Sequence, residues 1–351
     1  MADLRFHNVG IHSIAACVPS KIESNDSLRY LIPEEDIEKT INNIGIREKR
    51  IADPDVCASD LCLRAAEQLI TENAIDKDSI HALIFVSQTS DYHQPATAPI
   101  LQHKLGLNQG TLSFDVNLAC SGYVYGLSIA YSFCTQLGCD RVLLLVGETM
   151  SKIVSDYDRE SKPLFGDAGT ATLIEKGEDY GESYFSLNSD GSGADIMMIP
   201  AGGFRIPSSA ETFAMQEDAK GNKRNQYQFR MDGMDVFNFG IRVEPKDIKH
   251  LLSFAGTTID SIDLLIFHQA NKFMTDFFTK RLKFSTEKTP YSLDRYGNTS
   301  SASIPLTIVS ELFEGYSERK RTILSGFGAG LSWGSVLLDL SSCRISKLTT
   351  Y

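Results

Sequence analysis

Short runs of consecutive apolar residues recur along the chain, each bounded by polar or turn-forming residues. Clear examples cover 81–87, 141–147 and 263–267. A continuous apolar run of about four to eight residues is typical of a strand that is covered on both faces. The pattern therefore predicts buried strands at these positions.

Longer stretches between these runs carry apolar residues at helical spacing. They cover 59–72, 121–137 and 272–283. Strands that alternate with helices along a chain are typical of α/β folds. We therefore predict an α/β fold with covered sheets.

Two segments of the second half of the chain resemble two segments of the first half. Ile-His-Ala-Leu-Ile-Phe at 80–85 resembles Ile-Asp-Leu-Leu-Ile-Phe at 262–267, and Phe-Gly-Asp-Ala-Gly at 165–169 resembles Phe-Gly-Ala-Gly at 327–330. Matches in the same order indicate a duplicated unit. We expect two similarly folded halves that meet near residue 180.

Composition and charge exclude several classes of protein. The chain has 351 residues, of which 42% are hydrophobic and 23% charged, as in ordinary globular proteins. The net charge of −11 disfavours a nucleic-acid partner. No apolar run reaches the ~18–20 residues of a membrane span, and the first residues do not predict a signal peptide. We expect a cytoplasmic protein with no membrane span.

The seven cysteines are widely spaced and include no Cys-x-x-Cys pair. We expect reduced thiols and no metal site, with chemistry at one or two positions at most. Cys120 is the strongest candidate, because a short β-like run at 112–116 leads into it and a helical stretch leads out. A thiol at a helix N-terminus has a lowered pKa, and small neighbours leave room for a substrate. The alternative is a buried structural cysteine.

Two further polar residues occupy positions suited to catalysis. His268 directly follows the apolar run 263–267. In α/β folds, clefts form at the carboxyl ends of strands. Asn298 lies in a turn of small residues, and its amide could donate to a developing oxyanion. Structural roles remain open for both. Papain-like proteases share the order Cys, His, Asn, but the residues around Cys120 do not match their Cys-Gly-Ser-Cys-Trp motif.

Six short motifs follow one another along almost the whole chain. They are Asn-Leu-Ala-Cys-Ser-Gly at 117–122, Leu-Phe-Gly-Asp-Ala-Gly at 164–169, Met-Asp-Gly at 231–233, Phe-His-Gln-Ala-Asn at 267–271, Tyr-Gly-Asn-Thr-Ser at 296–300 and Gly-Ala-Gly-Leu-Ser-Trp-Gly at 328–334. In this order they resemble the 3-oxoacyl-ACP synthase III (beta-ketoacyl-ACP synthase III) family of the thiolase superfamily. The resemblance implies a duplicated five-layer α-β-α-β-α fold, normally a homodimer. Its N-terminal half, 1–180, would carry the nucleophilic cysteine, and its C-terminal half, 181–351, the histidine and asparagine.

The resemblance also implies catalytic roles. Cys120 would take an acyl group from a thioester, and His268 and Asn298 would stabilise the enolate formed when a malonyl thioester loses CO₂. The backbone N–H groups of Cys120 and Ala329 would form the oxyanion hole. Acyl-CoA or acyl-ACP and malonyl-ACP would be substrates, and no cofactor or metal is needed.

The chain departs from the family at the expected donor and primer sites. Lys39 and Asn43 occupy the positions of a tryptophan and an arginine that hold the CoA adenine in well-known members. Gln94 occupies the position that caps the acyl pocket across the dimer, where several members are apolar. A buried unpaired amide costs ~1–3 kcal/mol, which disfavours a long alkyl primer. We expect a specialised synthase with a short or polar primer.

A basic surface could bind the acidic acyl carrier protein. Lys272, Lys280 and Arg281 lie on one predicted helix, and Lys280 and Arg281 match a basic pair in the family's carrier-docking helix. An ordinary solvated helix face is the alternative.

Three function classes remain open. They are a condensing enzyme, an acyltransferase of the same fold that moves the acyl group to an alcohol or amine, and a non-catalytic partner subunit. The intact Cys-His-Asn set disfavours the third.

Overall fold

Two β-sheets with helices against their faces organise the fold, and the computed structural model describes residues 2–315 and 319–351. The strands are β1 (Ala2–His7), β2 (Val9–Val18), β3 (Ile22–Ser24), β4 (Glu48–Arg50), β5 (Ala82–Val86), β6 (Leu112–Val116), β7 (Arg141–Thr149), β8 (Asp167–Lys176), β9 (Glu182–Ser189), β10 (Met197–Met198), β11 (Gln216–Glu217), β12 (Lys223–Arg224), β13 (Arg230–Met231), β14 (Leu264–Phe267), β15 (Thr322–Gly328), β16 (Ser332–Leu338), β17 (Arg344–Ile345) and β18 (Thr349–Thr350). The α-helices are α1 (Glu34–Ile44), α2 (Ala58–Glu72), α3 (Thr97–Leu105), α4 (Gly122–Cys134), α5 (Ala210–Phe213), α6 (Gly233–Phe254), α7 (Lys272–Leu282), α8 (Leu293–Tyr296) and α9 (Ser303–Leu312).

The order of strands in each sheet mixes parallel and antiparallel pairs. The first sheet runs β17-β2-β8-β7-β5-β6, with β18 also paired to β2, and the second runs β1-β9-β16-β15-β14. In the first sheet β5 is parallel to β6 and β7, and in the second β14 is parallel to β15. The carboxyl ends of β6 and β14 precede Cys120 and His268, so the sheet topology places the candidate chemistry at strand ends.

Helices separate the two sheets and cover their outer faces. Helices α4 and α9 lie between the sheets, since α4 contacts β7 and β16 and α9 contacts β2 and β14. Helices α2 and α3 cover the first sheet on its other side, and α6 covers the second together with its neighbour α7. The predicted α/β fold with five α-β-α-β-α layers is confirmed.

The core between the sheets is built from the apolar runs seen in the sequence. Ile84 on β5, Leu144 on β7, Ile266 on β14 and Leu324 on β15 are all buried in one cluster with Tyr123 of α4. Because strands such as β5 are buried along their whole length, they require continuous apolar runs.

The strands at the two ends of the chain each join the sheet that is built mainly from the other half. Strand β1 pairs with β9 in the second sheet, while β17 and β18 pair with β2 in the first. The division into residues 1–180 and 181–351 stays a prediction. Strands at both ends of the chain belong to the sheet of the other half. None of the described helices combines the length and apolarity needed to cross a bilayer.

Candidate active site

Cys120 lies in the turn between β6 and α4, at the wall of a cleft that opens to the surface. The cleft encloses about 640 Å³ of empty space, counting its open mouth. Its lining includes three of the predicted site residues, Cys120, His268 and Asn298, together with Ala329. The structure thus brings together residues from four separate segments of the chain.

Strand β15 passes directly against Cys120. A Cβ atom on Gly328 would lie 2.8 Å from the Cys120 nitrogen and 3.0 Å from its Cβ, and one on Gly326 would lie 2.8 Å from its carbonyl oxygen. Contacts under about 3 Å are not tolerated without movement, so glycine is required where the strand meets the nucleophile turn.

Burial of the sulfur favours the protonated form of the Cys120 thiol, although the residue as a whole is half-buried. Burial raises the pKa of Cys120 to about 12, while a hydrogen bond with Ser300 acts in the opposite direction. Its Sγ lies 3.5 Å from the Ser300 Oγ. The predicted lowering of this pKa is therefore wrong for the free site, because the cost of burying a thiolate exceeds the benefit of the nearby start of α4.

His268 directly follows β14 and is buried and neutral. Burial lowers its pKa to about 3, and a backbone hydrogen bond with Ser300 acts in the opposite direction. The ring Nδ1 lies 2.7 Å from the Ser303 Oγ, in the first turn of α9. The neighbouring Gln269 donates from its side chain to the Phe267 carbonyl, which fixes the backbone on both sides of the ring.

Asn298 is held by the Leu-Phe-Gly segment of the second motif. Its N–H donates to the Leu164 carbonyl at 2.8 Å, and its carbonyl accepts from the Gly166 N–H at 3.1 Å. Its Oδ1 accepts from the Ser300 N–H at 2.8 Å. With the oxygen engaged, the amide NH₂ group remains available to a ligand in the cleft.

The other predicted site residues lie elsewhere. Gln94 is exposed on the loop between β5 and α3 and does not line the cleft of its own chain. Lys272, Lys280 and Arg281 are exposed on α7, and Lys272 pairs with Asp276. Helix α7 begins beside the cleft, since its cap Asn271 is one of the lining residues.

A buried carboxylate behind the cleft was not predicted from the sequence. Glu148, near the end of β7, accepts hydrogen bonds from Ser301 Oγ at 2.8 Å, Thr89 Oγ1 at 3.0 Å and the Gln88 backbone at 3.1 Å. Burial raises its pKa to about 7, and the donors, led by Ser301, act in the opposite direction. The available signal was the polar segment Ser-Gln-Thr at 87–89, which directly follows a buried strand.

Arg159 is a second residue that the sequence did not single out. It lines a surface cleft together with Lys39 and Asn43, the two positions at which the sequence leads us to expect a departure from the family. A guanidinium is thus present at this cleft, although it comes from residue 159 and not from the helix that carries Lys39 and Asn43. Its side chain donates to the Lys220 carbonyl.

Two family models match the chain. The model described as 3-Oxoacyl-[acyl-carrier-protein (ACP)] synthase III matches residues 114–192, and the C-terminal model of the same family matches residues 252–340. These two matches include Cys120, His268, Asn298 and Ala329.

Relatives and solved structures match over nearly the whole chain. A putative 3-oxoacyl-[acyl-carrier-protein] synthase 3 from Campylobacter jejuni is 36% identical and covers 99% of this chain and 98% of its own length. A beta-ketoacyl-[acyl-carrier-protein] synthase III from Symbiobacterium thermophilum is also 36% identical, with 95% and 99% covered. The crystal structure of a 3-oxoacyl-(acyl-carrier protein) synthase from Burkholderia xenovorans superimposes with a TM-score of 0.93 at 37% identity, covering 100% of this chain and 99% of that one. Together with the thiolase-type fold and the shared cleft, these matches show that the chain belongs to the 3-oxoacyl-ACP synthase III family.

Proposed function

We propose that this enzyme condenses an acyl thioester with a malonyl thioester through an acyl-Cys120 intermediate. The observation that carries the proposal is that one thiol and two uncharged hydrogen-bond donors, His268 and Asn298, line one cleft. Such a set suits a reaction in which negative charge develops on a thioester oxygen.

In the first half-reaction, the Cys120 Sγ attacks the acyl carbonyl carbon. The bond from that carbon to the donor's sulfur breaks, and the thiol proton leaves with the released donor thiol. The backbone N–H groups of Cys120 and Ala329 stabilise the oxyanion of the tetrahedral intermediate. Both residues line the cleft, which supports this assignment.

In the second half-reaction, a malonyl thioester loses CO₂, and the resulting enolate attacks the acyl-Cys120 carbonyl carbon. His268 and Asn298 donate to the enolate oxygen. The Ser303 oxygen accepts from the Gln269 N–H, so its own hydrogen is free to donate to Nδ1. This favours the tautomer that carries the ring hydrogen on Nε2, and burial keeps the ring neutral. Asn298 presents NH₂ because its oxygen accepts from Ser300. Carbon–carbon bond formation then expels the Cys120 thiolate.

We infer that the primer is short or polar. The wall of the cleft is formed by Met150, Phe165, Met197 and Phe229, with the polar Gln88 among them. The enzyme acts as a cytoplasmic homodimer in which Gln94 of the partner subunit caps this pocket. An amide from Gln94 at the end of the pocket would be left unpaired against a long alkyl chain, which disfavours such a primer.

We further propose that acyl carrier protein delivers the substrates to the face of α7. Lys280 and Arg281 lie in the last turn of that helix and are exposed. They would contact an acidic carrier, and Asn271 at the other end of the helix lines the cleft.

The alternative is an acyltransferase that moves the acyl group from Cys120 to an alcohol or amine. Both reactions need an acyl-cysteine, so the second half-reaction separates them. In Cys120→Gln the side chain resembles an acylated cysteine and cannot be acylated. We expect this variant to decarboxylate a malonyl thioester, measured as release of CO₂, with Cys120→Gln/Asn298→Ala as the inactive control. If Cys120→Gln releases no CO₂, the acyltransferase is favoured.

A further inference from the structure

Ser300 has an unusual backbone conformation beside the nucleophile. Its φ angle is +51°, in the left-handed region that non-glycine residues seldom adopt. Its backbone N–H holds Asn298, as described above, and its hydroxyl lies 3.5 Å from the Cys120 Sγ. One residue thus contacts all three members of the Cys-His-Asn set, since its backbone also forms a hydrogen bond with His268.

The hydrogen bonds around the Ser300 hydroxyl have a defined direction. The Gln88 Nε2 lies 2.9 Å from the Ser300 Oγ, and an amide nitrogen can only donate. The Ser300 oxygen is therefore an acceptor in this contact, and its own hydrogen remains available for the Cys120 sulfur.

Gln88 is itself fixed in this orientation. Its Nε2 also donates to a carboxylate oxygen of Glu148 at 3.2 Å, and its backbone N–H donates to the same carboxylate at 3.1 Å. Glu148 can only accept when it is ionised, so it selects the amide orientation in which NH₂ faces both Glu148 and Ser300.

We propose that Ser300 stabilises the Cys120 thiolate during acylation by donating its hydroxyl hydrogen to the sulfur, and that Gln88, anchored on Glu148, holds the hydroxyl in the donating orientation. Ser300 contacts the reacting atom, whereas Gln88 and Glu148 are positioning residues. The inference rests on the proposed function in that Cys120 is the nucleophile. Ser300 keeps its own proton throughout, so the balance of the acylation step is unchanged.

The surroundings of Cys120 explain why such a donor is needed. Among the described residues, the titratable groups that face the sulfur are His268 in the cleft and Glu148 behind Gln88. His268 is neutral, and the charge of Glu148 disfavours a thiolate. A hydrogen bond to a charged group is stronger than one between neutral groups, so the hydroxyl gains importance when the thiol ionises.

The test is the rate at which iodoacetamide alkylates Cys120 as a function of pH, followed by mass spectrometry with mapping of the modified peptide. Below the thiol pKa this rate is proportional to the thiolate fraction. We expect Ser300→Ala to be alkylated about tenfold more slowly and its pH profile to move to higher pH. Gln88→Leu should shift the profile in the same direction by a smaller amount.

Two further variants keep the test interpretable. Ser300→Gly also removes the hydroxyl but adopts a positive φ without strain, so it should reproduce the Ser300→Ala result even if the alanine variant folds poorly. Thr299→Val is the matched control, because the buried Thr299 hydroxyl has no hydrogen-bond partner among the described residues, and its profile should equal that of the wild type.

The possible outcomes separate this inference from the proposed function. If Ser300→Ala and Ser300→Gly are alkylated at the wild-type rate across the pH range, the inference is overturned. A wild-type protein that shows the expected alkylation pattern but forms no acyl adduct with any acyl thioester would overturn the proposed function and leave the role of Ser300 intact.

Discussion

At Cys120, burial and local hydrogen bonding act on the thiol in opposite directions. Burial raises its pKa to about 12, and the Ser300 contact favours the ionised form. In the proposed reaction, a thiol that favours its protonated form in the free site must ionise when a thioester is bound. The hydrogen-bond donors of the cleft therefore have their largest effect when the thiol ionises during the reaction.

Loss of either enolate donor should separate the two half-reactions. We expect His268→Ala and Asn298→Ala to form the acyl-enzyme normally and to decarboxylate malonyl thioester about 10²–10³ times more slowly, because each loses one hydrogen bond to the developing charge. The measurements are acyl-adduct formation by intact mass and CO₂ release. Failure of a folded variant at acylation would contradict this division of roles.

Close packing of β15 against the nucleophile turn should also be visible in kinetics. In Gly328→Ala the new methyl group would collide with Cys120, so we expect acylation to slow about a hundredfold through displacement of the thiol. The matched control is Gly191→Ala, where a Cβ meets nothing within 4 Å. Equal acylation rates in both variants would contradict the proposed contact.

The residues of the site could be predicted only in part. Cys120, His268 and Asn298 follow strands or tight turns, and the motifs around them are specific. Gln88, Glu148 and Ser300 could not be assigned, because their importance depends on contacts between segments far apart in the chain. The pKa of Cys120 was mispredicted for the same reason, since burial at the cleft is not a local property.

At the scale of elements, the buried strands were the most predictable features. The apolar runs at 81–87 and 141–147 correspond to β5 and β7, and the structure extends the latter to Thr149. The stretch from β10 to β13 contains a short helix and two-residue strands, which have no periodicity to detect. Helix α6 was not predicted, and it carries Pro245 inside its span.

Helix α6 also carries a buried carboxylate that should affect stability. Glu244 is buried, and its side-chain oxygens make no hydrogen bond of normal geometry among the described residues, although the Ser325 hydroxyl lies close enough to oppose the effect of burial. Burial raises its pKa from 4.5 to about 8. The folded chain therefore binds this proton more tightly than the unfolded chain, and the stability it provides is present below pH 4.5 and is lost as the pH rises through about 8.

Replacing this carboxyl group with an amide should weaken the pH dependence. Between about pH 5 and pH 9 the free energy of unfolding should fall less in Glu244→Gln than in the wild type. We expect the two falls to differ by on the order of 3 kcal/mol. Urea denaturation at several pH values measures it, with the exposed Glu178→Gln as control. A Glu244→Gln profile parallel to that of the wild type would show that Glu244 is not protonated in the fold.

At the scale of the whole molecule, the proposed function requires an acidic enzyme to associate with an acidic carrier. The net charge is −11, so a local basic face has to overcome general repulsion. Lys280 and Arg281 provide such a face on α7, while Lys39, Asn43 and Arg159 line the separate surface cleft. Arg159 therefore supplies a guanidinium to that cleft, where the resemblance leads us to expect an arginine at position 43.

We expect acyl-ACP to acylate Cys120 faster than the matching acyl-CoA at low salt, by on the order of tenfold. The difference should shrink at high salt and in Lys280→Glu/Arg281→Glu, because surface charges act mainly on association rate. Acylation rates with each donor at two ionic strengths measure the effect. If acyl-CoA matches or exceeds the carrier-bound donor at low salt, the basic face of α7 is not the docking site.

The most direct test of the account is an intact-mass time course in which wild-type enzyme is first acylated and then supplied with malonyl thioester. The account predicts an acyl adduct that maps to Cys120, is absent from Cys120→Ala, and disappears on addition of malonyl thioester as CO₂ and a 3-oxoacyl thioester appear. An adduct of equal size on Cys120→Ala, or one on Cys120 that persists with malonyl thioester and leaves only to an alcohol or amine, would contradict it.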